Sequence, residues 1–529
     1  MSLLQIEGLH MAIHGQPILR DVSLSLARGE VLGIIGESGS GKSMTAFSVM
    51  RLLPRGAGCL GAVRLDGRDL LQLPERQMNN IRGRMVGMIF QEPMTALNPL
   101  KTIGDQVAET VRLHEGLSRR AAWDRARAAL ARAELPEESF PLTRYPHELS
   151  GGQRQRVVIA MAIACRPALL IADEPTTALD VTTQAEILNL LRRLVQEEGC
   201  GLMLISHDLA VVASMADRIA IMRAGEVVEQ GPTAEILRQM QHPYSRALRA
   251  ASAHAPERGA VATGETLLNC DGVVRDYALP RGLLAAPQHF RAVDGVSFTI
   301  KRGESLGLVG ESGCGKSTLT RAILGLEPLQ AGRIEISGQP INANGHVDPA
   351  IRKHMQVVFQ DPYGSFNPRH RVERLICEPF HLWDDPPVGA ARDKAIADAL
   401  EAVGLSVADR HKFPHEFSGG QRQRIAIARA LITRPDLIIL DEAVSALDVS
   451  VRAQVLGLLA DLQGRLGLTY LFISHDLSVV RSITDRVLVM KAGKIVEEGE
   501  TRAVFDAPAH PYTAQLIKAA PRLPEGVGG

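Results

Sequence analysis

The chain has 529 residues, of which 45% are hydrophobic and 22% charged, and its 59 lysine and arginine residues balance 59 aspartate and glutamate residues. This composition is typical of a soluble globular protein, and the lack of a basic excess argues against a primary role on nucleic acid. Six scattered cysteines, with no CxxC pair and no metal-ligand spacing, indicate a reduced cytosolic compartment. We find no secretory signal pattern and no apolar run of membrane-spanning length, so we expect a chain that does not cross a membrane.

The first ten residues, MSLLQIEGLH, predict an edge strand. An apolar run from Glu30 to Gly36 then leads into the glycine-rich segment GESGSGKS, which ends at Ser43. A strand, a glycine-rich loop and a helix in this order are the context in which a P-loop binds phosphate. Backbone N–H groups and the positive end of the following helix suit an anion. Lys42 is therefore predicted to reach the β- and γ-phosphates of a nucleotide, and Ser43 to ligate Mg²⁺.

Three further motifs follow. FQEP contains Gln91, and an Ala-, Arg- and Leu-rich stretch around Leu117 to Leu135 predicts a helical insertion before LSGGQ (Leu149 to Gln153). An apolar strand, LLIADE, then ends at Asp173 and Glu174. An isolated acidic pair at the end of a strand is more often a structural salt bridge. Beside a P-loop, however, it predicts an aspartate that holds the magnesium shell and a glutamate that polarises the attacking water.

Beyond this pair and the motif ALD (Ala178 to Asp180), apolar residues recur at the spacing of one helix face, at Ile187, Leu190, Leu191 and Leu194. They predict an amphipathic helix that packs on a sheet. A short apolar strand then ends just before His207. A lone histidine there would more often be a packing or capping residue. The alternation of strands and helices predicts an α/β core with parallel strands.

The second half of the chain repeats every one of these motifs. The P-loop region is repeated as ESLGLVG (Glu304 to Gly310) and GESGCGKS (Gly310 to Ser317). FQDP with Gln360, FSGGQ (Phe417 to Gln421), LIILDE with Asp441 and Glu442, and ALD (Ala446 to Asp448) follow. A helical pattern at Val455, Leu458, Leu459 and Leu462, a strand over Tyr470 to Ser474, and ISHD with His475 complete the repeat. The signature, acidic and histidine motifs recur at one offset of 268 residues. We predict two homologous domains, residues 1–250 and 267–529, joined by a linker over residues 251–266.

Together these motifs resemble the ATP-binding cassette (ABC) family of P-loop NTPases over essentially the whole chain, and the SGGQ signatures are the most specific of them. The resemblance implies an α/β fold of two tandem cassettes, each with a mainly parallel sheet core, an antiparallel β subdomain and a helical subdomain. It also implies ATP hydrolysis with Mg²⁺ at two head-to-tail sites. In each site the signature of one cassette completes the P-loop of the other.

The resemblance carries these roles to individual positions. Site one, built on Lys42, is completed by the signature that contains Ser418, and site two, built on Lys316, by the signature that contains Ser150. The implied nucleotide-binding residues are Gly36, Glu37, Ser38, Gly39, Ser40, Gly41, Lys42, Ser43, Met44, Gln91, Ser150, Gly151, Gly152, Gln153, Gly310, Glu311, Ser312, Gly313, Cys314, Gly315, Lys316, Ser317, Thr318, Gln360, Ser418, Gly419, Gly420 and Gln421. The implied catalytic residues are Glu174, His207, Glu442 and His475, and the implied Mg²⁺ ligands are Ser43, Gln91, Asp173, Ser317, Gln360 and Asp441.

Two further positions, one of them within a P-loop, carry additional hypotheses. In the family an aromatic side chain stacks on adenine, and Tyr277 is the candidate in the second half, whereas Ile13 and His14 occupy the corresponding region of the first. Cys314 replaces Ser40 within the second P-loop. Nearby amides, Lys316 and a helix N-terminus favour a thiolate, so the sequence predicts a lowered pKa and fast maleimide labelling of Cys314.

The segments that begin at the two glutamines, QEPMTALNP and QDPYGSFNP, and the repeated HPY motif resemble the corresponding segments in the ATPases of bacterial oligopeptide, dipeptide and nickel importers. The fused chain resembles microcin C- and glutathione-type importer ATPases. This implies two transmembrane permeases and an extracytoplasmic solute-binding protein as partners, and a peripheral location on the cytoplasmic face of the inner membrane. Some relatives hold an iron-sulfur centre after HPY, but no cysteine lies between Pro243 and Asn269, so none is expected here.

The alternative from another class is a soluble tandem ABC ATPase that acts on the ribosome or nucleic acid. Translation-factor relatives join their cassettes by a long charged helical linker, and DNA-repair relatives add zinc-binding cysteine modules. This sequence has neither feature. A fused sugar-importer ATPase would have similar P-loops, but the asparagine-proline text after both glutamines argues against it. The motifs do not select the cargo: peptide, nickel, opine-like and antibiotic solutes remain open.

Overall fold

The computed structural model of the protein describes residues 2–177, 179–258, 264–279, 288–341, 349–361 and 364–523. Ala178 of the first ALD motif, residues 259–263 of the predicted linker, and residues 362–363 of the QDPYGSFNP segment lie outside the described residues.

The described part of the first half alternates strands with helices. Its strands are β1 (Ser2–Ile13), β2 (Gln16–Ala27), β3 (Val31–Ile35), β4 (Ala57–Leu65), β5 (Arg68–Asp69), β6 (Val86–Ile89), β7 (Leu169–Asp173), β8 (Gly201–Ser206), β9 (Arg218–Arg223) and β10 (Glu226–Pro232). Its helices are α1 (Lys42–Met50), α2 (Glu75–Ile81), α3 (Pro93–Ala96), α4 (Ile103–Glu115), α5 (Arg119–Arg132), α6 (Gly151–Ile163), α7 (Val181–Glu198), α8 (Leu209–Met215), α9 (Thr233–Arg238) and α10 (Pro243–Ser252).

The second half has a similar succession of elements. Its strands are β11 (Thr266–Leu279), β12 (Gln288–Lys301), β13 (Ser305–Val309), β14 (Ala331–Ile336), β15 (Gln339–Ile341), β16 (Met355–Val358), β17 (Leu437–Asp441), β18 (Thr469–Ile473), β19 (Arg486–Lys491) and β20 (Lys494–Glu500). Its helices are α11 (Lys316–Ile323), α12 (Pro349–Arg352), α13 (Val372–Ile376), α14 (Gly389–Ala402), α15 (Gly419–Leu431), α16 (Val449–Leu466), α17 (Leu477–Ile483), α18 (Thr501–Asp506) and α19 (Pro511–Ala519).

In the described part of the chain, each half contains one six-stranded sheet and one four-stranded sheet. The six-stranded sheets have the corresponding orders β10-β9-β3-β8-β7-β6 and β20-β19-β13-β18-β17-β16, and their strands are parallel except for the antiparallel β10 and β20. The four-stranded sheets, β2-β1-β4-β5 and β12-β11-β14-β15, are antiparallel. The predicted α/β fold with a mainly parallel core is thereby confirmed.

The P-loop strands lie in the middle of their sheets, which explains their composition. Every residue of β3 and of β13 is buried. A parallel strand with helices on both faces has no solvent side, so it reads as a continuous apolar run rather than an alternating one. The sheet therefore presents the carboxyl end of β3, and the loop that follows it, between β8 and β9.

The prediction that the first strand lies at a sheet edge is wrong. β1 is an interior strand: Leu4 is paired with Leu26 of β2 on one side and with Leu65 of β4 on the other. Both backbone edges of β1 are thus hydrogen-bonded within the sheet. The apolar pattern identifies a strand, but the pairing depends on β4, which lies about fifty residues later in the chain.

The predicted helices are present. In α7, the four residues Ile187, Leu190, Leu191 and Leu194 are at most 1% exposed, and in α16 Val455, Leu459 and Leu462 are buried whereas Leu458 is partly buried. Helices α4 and α5 form the helical insertion of the first half, between β6 and β7. In the second half α13 and α14 occupy the same place. None of the helices among the described residues is long and apolar enough to span a bilayer.

The two halves contact each other through corresponding elements. Helix α10 of the first half packs against α16 of the second, and α19 of the second half packs against α7 of the first. Val449, at the start of α16, joins a hydrophobic cluster of the first half, and Val181, at the start of α7, joins one of the second. The structure therefore joins the halves by an approximately twofold arrangement.

Candidate functional site

The first predicted P-loop lies between β3 and α1 and has a closely held lysine. The Nζ atom of Lys42 donates to the carbonyl oxygens of Gly36 at 2.8 Å and of Glu37 at 2.9 Å. Burial lowers the pKa of Lys42, against the opposing charges of Glu174 and Asp173. Gly41 has φ of 101°, in the left-handed region, and a Cβ there would lie 2.6 Å from Leu19, so glycine is required.

The second P-loop has the same geometry. Lys316 donates to the carbonyl oxygens of Gly310 at 2.7 Å and of Glu311 at 2.8 Å. Gly315 has φ of 113°. The remaining predicted P-loop residues lie in these two loops and at the starts of α1 and α11: Ser38, Gly39, Ser40, Ser43 and Met44 in the first, and Ser312, Gly313, Cys314, Ser317 and Thr318 in the second.

An aspartate lies near each P-loop, at the carboxyl end of a parallel strand that is one strand removed from the P-loop strand. Asp173 ends β7, and its Oδ1 accepts a hydrogen bond from the Ser43 hydroxyl at 3.1 Å. Burial raises the pKa of Asp173 to about 6. Burial likewise raises the pKa of Asp441, which ends β17. A buried carboxylate of this kind is stabilised by a nearby cation.

Glu174 is held by three predicted or neighbouring side chains. It accepts from Gln91 Nε2 at 2.9 Å and from Thr177 Oγ1 at 2.9 Å, and it lies 3.2 Å from His207 Nδ1. Burial by itself would raise the pKa of Glu174. The hydrogen bond and the charge of His207 outweigh burial, so the pKa of Glu174 lies below its usual value. Burial by itself would lower the pKa of His207. The hydrogen bond and the charge of Glu174 outweigh burial, so the pKa of His207 lies above its usual value. The pair therefore favours a carboxylate and an imidazolium.

The second half keeps the pair but not all of its partners. His475 Nδ1 lies 3.3 Å from Glu442 Oε2, and the pKa directions match those of the first half. Among the described residues, Ser317 is not hydrogen-bonded to Asp441, nor Gln360 to Glu442. Glu174 and Glu442 also share a positive φ, 48° and 51°. Backbone strain of this kind clusters at functional sites, where the surroundings hold the residue in place.

The signature motifs begin helices, as the sequence predicts. Ser150 caps α6: its hydroxyl accepts from the Gln153 N–H at 3.3 Å, and the Gln153 side chain accepts from the Ser150 N–H at 3.0 Å. Ser418 and Gln421 form the corresponding capping box at α15. Gly152 and Gly420 lie against Thr183 and Val451, where a Cβ would be 2.3 Å from either side chain. These glycines place the signature directly beside the helix that follows each ALD motif.

The contact between the halves uses aspartates that the sequence analysis did not assign to the site. Asp180 caps α7, and its Oδ2 also accepts from the N–H of Ser312, in the opposite P-loop, at 3.4 Å. Its counterpart, Asp448, caps α16 and is close enough to raise the pKa of Lys42 by its charge. The repeated ALD motif was the available signal. Each P-loop thus faces the ALD aspartate of the other half.

Tyr277 lies in β11, on the antiparallel sheet of the second half. Its hydroxyl donates to Glu327 at 3.1 Å, and the Arg275 guanidinium lies 4.6 Å from the ring centroid. The ring is thus fixed by two charged neighbours. In the first half, Ile13 is partly buried against the hydrophobic core, and the structure offers no aromatic side chain at that position.

The expectation of a lowered pKa at Cys314 is wrong. The thiol is 7% exposed and packs within the hydrophobic cluster of the second half, and burial raises its pKa although Lys316 opposes this. Desolvation therefore outweighs the nearby amides and ammonium. The Ser40 hydroxyl, at the same place in the first half, is buried without a hydrogen-bond partner. A thiol avoids that cost, since it is a weak hydrogen-bonding group.

This burial changes the labelling order that we expect. Maleimide should modify Cys59 and Cys377, which are partly exposed, before Cys314 in the native chain. The measurement is peptide mass spectrometry after short pulses of reagent, with the unfolded chain as the control in which all six thiols react. Modification of native Cys314 as fast as Cys377 would contradict the buried position.

Comparison with known proteins gives consistent matches. The ABC transporter family matches residues 19–177 and 293–445, and the family described as oligopeptide/dipeptide transporter, C-terminal region, matches residues 228–265 and 496–527. Similar relatives include the glutathione import ATP-binding proteins GsiA of Salmonella paratyphi A and Escherichia coli K12, each 47% identical over 98% of this chain and 90% of the relative.

Similar solved structures cover a little under half of this chain. One is cbiO1 of Clostridium perfringens, part of an ABC transporter complex (29% identity, TM-score 0.40, covering 46% of this chain and 92% of that one). Another is a dimeric ATP-binding cassette bound to ADP and Pi (28% identity, TM-score 0.39, covering 45% of this chain and 99% of that one).

Proposed function

Because this chain belongs to the ABC transporter family, whose ATP-binding subunits hydrolyse ATP, we propose that it hydrolyses ATP at two composite sites and thereby drives an importer of short peptides. One observation carries the proposal of composite sites. Each half holds a complete set of lysine, aspartate, glutamate and histidine, and each P-loop faces the ALD aspartate of the other half, with Asp180 bound to the Ser312 N–H.

The roles of the site residues are part of this proposal. The P-loop amides and Lys42 or Lys316 bind the phosphates, and the signatures containing Ser418 and Ser150 close on them from the opposite cassette. Glu174 and Glu442 polarise the attacking water. His207 and His475 contact the γ-phosphate and also pair with these glutamates, from which they lie 3.2 Å and 3.3 Å away. Tyr277 stacks on adenine in the second cassette.

The residues beside each P-loop fit a magnesium ion. Mg²⁺ prefers hard oxygen ligands, and Ser43, Asp173 and the Gln91 side chain supply them in the first cassette. The Ser43 hydroxyl and Asp173 are already 3.1 Å apart, and burial raises the pKa of Asp173 to about 6. In the second cassette Ser317, Asp441 and Gln360 have the same chemistry. When bound, the ion neutralises phosphate charge.

Domain boundaries and partners follow from the same reasoning. We place the cassettes at residues 1–250 and 267–529, supported by α10 ending at Ser252 and β11 beginning at Thr266. The relatives named for glutathione import support a small peptide as the cargo. The proposed partners are two permeases and an extracytoplasmic binding protein, and binding to the permeases holds the chain at the cytoplasmic face of the inner membrane.

Uptake in a deletion strain tests the cargo. Cells that carry the wild-type chain should take up labelled glutathione and competing short peptides in a manner that depends on the binding protein. Cells that carry Lys42→Ala with Lys316→Ala should not. Equal uptake by both strains would show that ATP hydrolysis by this chain does not drive the uptake. Co-purification of the chain with ribosomes in place of permeases would favour the soluble alternative.

We further propose that the chain needs no iron. An iron-sulfur cluster requires four thiolates close together, and no cysteine lies between Pro243 and Asn269. Purified protein should therefore contain iron well below one atom per chain and hydrolyse ATP unchanged after treatment with an iron chelator. Stoichiometric iron together with acid-labile sulfide would contradict this.

A further inference from the structure

The two HPY motifs, at residues 242–244 and 510–512, each place a tyrosine against the P-loop of their own half. Tyr244 lies near the start of α10, and its hydroxyl accepts a hydrogen bond from the Glu37 N–H at 3.1 Å. Tyr512, near the start of α19, accepts from the Glu311 N–H at the same distance. The two halves thus form the same contact independently, which argues for a common purpose.

The peptide group contacted by each tyrosine also binds the P-loop lysine. The Glu37 N–H and the Gly36 carbonyl belong to one peptide plane, and that carbonyl accepts from Lys42 at 2.8 Å. In the second cassette the Gly310 carbonyl accepts from Lys316 at 2.7 Å on the other side of the peptide held by Tyr512. Since a peptide is planar, fixing its N–H also fixes the direction of its carbonyl.

Each tyrosine is itself held firmly. The side chain of His242 accepts from the Tyr244 N–H at 3.1 Å, and Glu229 accepts from the His242 N–H at 3.3 Å. The Arg223 guanidinium lies 5.0 Å from the Tyr244 ring centroid. His510, Glu497 and Lys491 hold Tyr512 in the same way, with the Lys491 ammonium 4.5 Å from the ring. Both rings are almost fully buried, 6% and 3% exposed.

The helices that carry the tyrosines rest on the opposite cassette. Helix α10 packs on α16, which Asp448 caps, and α19 packs on α7, which Asp180 caps. Asp180 also lies close enough to Tyr512 for its charge to act on the phenol, as Asp448 does on Tyr244. One short helix therefore contacts both its own P-loop and the ALD region of the other cassette.

We infer that Tyr244 and Tyr512 are positioning residues, each of which fixes the peptide that orients the P-loop lysine and ties that loop to the opposite cassette. This inference rests on the proposed binding of ATP at the P-loops. When the P-loop is already held in its binding conformation, nucleotide binding loses less conformational entropy in ordering the loop, so the affinity is higher. Loss of the hydroxyl should therefore weaken ATP binding more than it weakens the fold.

The test uses the full chain with Lys42→Ala, so that the site built on Lys316 is the one measured. Adding Tyr512→Phe should raise the Kd for Mg-ATP about fivefold, the effect of one neutral hydrogen bond. Adding Tyr244→Phe, which alters the disabled loop, should leave this Kd unchanged. Displacement of a fluorescent ATP analogue by ATP gives the Kd, and thermal unfolding gives Tm for each variant.

Tyr470→Phe is the matched structural control. Its buried hydroxyl donates to the Leu459 carbonyl at 2.9 Å in the core of the same cassette, so it should lower Tm without changing the Kd. An unchanged Kd in Tyr512→Phe, or an equal rise in Tyr470→Phe, would overturn the inference. ATP binding by the chain with both Lys42→Ala and Lys316→Ala would contradict the proposed function instead.

A double-mutant cycle tests the link to the opposite cassette. Asp180→Ala removes the acceptor of the Ser312 N–H and the charge near Tyr512. If the two contacts act together, the Kd of the chain with Tyr512→Phe and Asp180→Ala should rise less than the product of the two single effects, since coupled sites are not additive. Simple multiplication of the two effects would show that the tyrosine acts within its own cassette alone.

Discussion

Glu442→Gln should lower ATP turnover at site two by about 10²- to 10³-fold, because an amide neither accepts a proton from the attacking water nor carries the charge that polarises it. Glu174→Gln should have the same effect at site one. His475 lies 3.3 Å from Glu442, so a glutamine there keeps the shape of the site but loses the ionic pairing with the imidazolium. The change therefore acts on chemistry and leaves the fold of the P-loop in place.

Single-turnover hydrolysis measures this effect, and equilibrium ATP binding is the control, since the affinity should be retained in both variants. The variant with both replacements should accumulate a closed state with two ATP molecules bound, detectable as nucleotide that remains bound through gel filtration. Full ATPase activity with transport in Glu442→Gln would rule out hydrolysis at two sites.

The second large effect concerns which halves share a site. Ser150→Arg should damage the site built on Lys316, so combining it with Lys316→Ala should be little worse than either change alone. Combining Ser150→Arg with Lys42→Ala should disable both sites and lower steady-state ATPase activity by at least about 10²-fold. The physical basis is the head-to-tail contact, in which Asp180, close to the first signature, reaches the Ser312 N–H of the second P-loop.

Ser118→Arg is the control for this experiment. Ser118 caps α5 through a hydrogen bond from the Ala121 N–H at 3.3 Å, as Ser150 caps α6, but it lies on the helical insertion. It should lose a helix cap without losing hydrolysis in either lysine background. The opposite result would be a loss of ATPase activity that adds to that of Lys316→Ala but not to that of Lys42→Ala. It would show that each P-loop works with the signature of its own cassette.

Local sequence patterns were sufficient to predict many of the structural elements and motifs of this protein. The P-loops, the strand-terminal pairs ending in Glu174 and Glu442, and the amphipathic helices α7 and α16 all lie where periodicity and motif order predict them. These features depend on neighbours within a few residues: a glycine that permits a tight loop, an apolar face with helical spacing, a serine that caps its own helix. Repetition at a fixed offset made the prediction of two similar halves independent of any single motif.

Tertiary structure decided the features that depend on distant partners. β1 became an interior strand because β4 pairs along its second edge, and the pKa of Cys314 is raised because core residues exclude water from a position that the motif alone makes electropositive. The hydrogen bonds of Tyr244 and Tyr512 join residues about two hundred positions apart. The sequence by itself determined the elements and the chemical groups at each site. Which distant groups meet was decided only by packing, since burial and pairing depend on the whole chain.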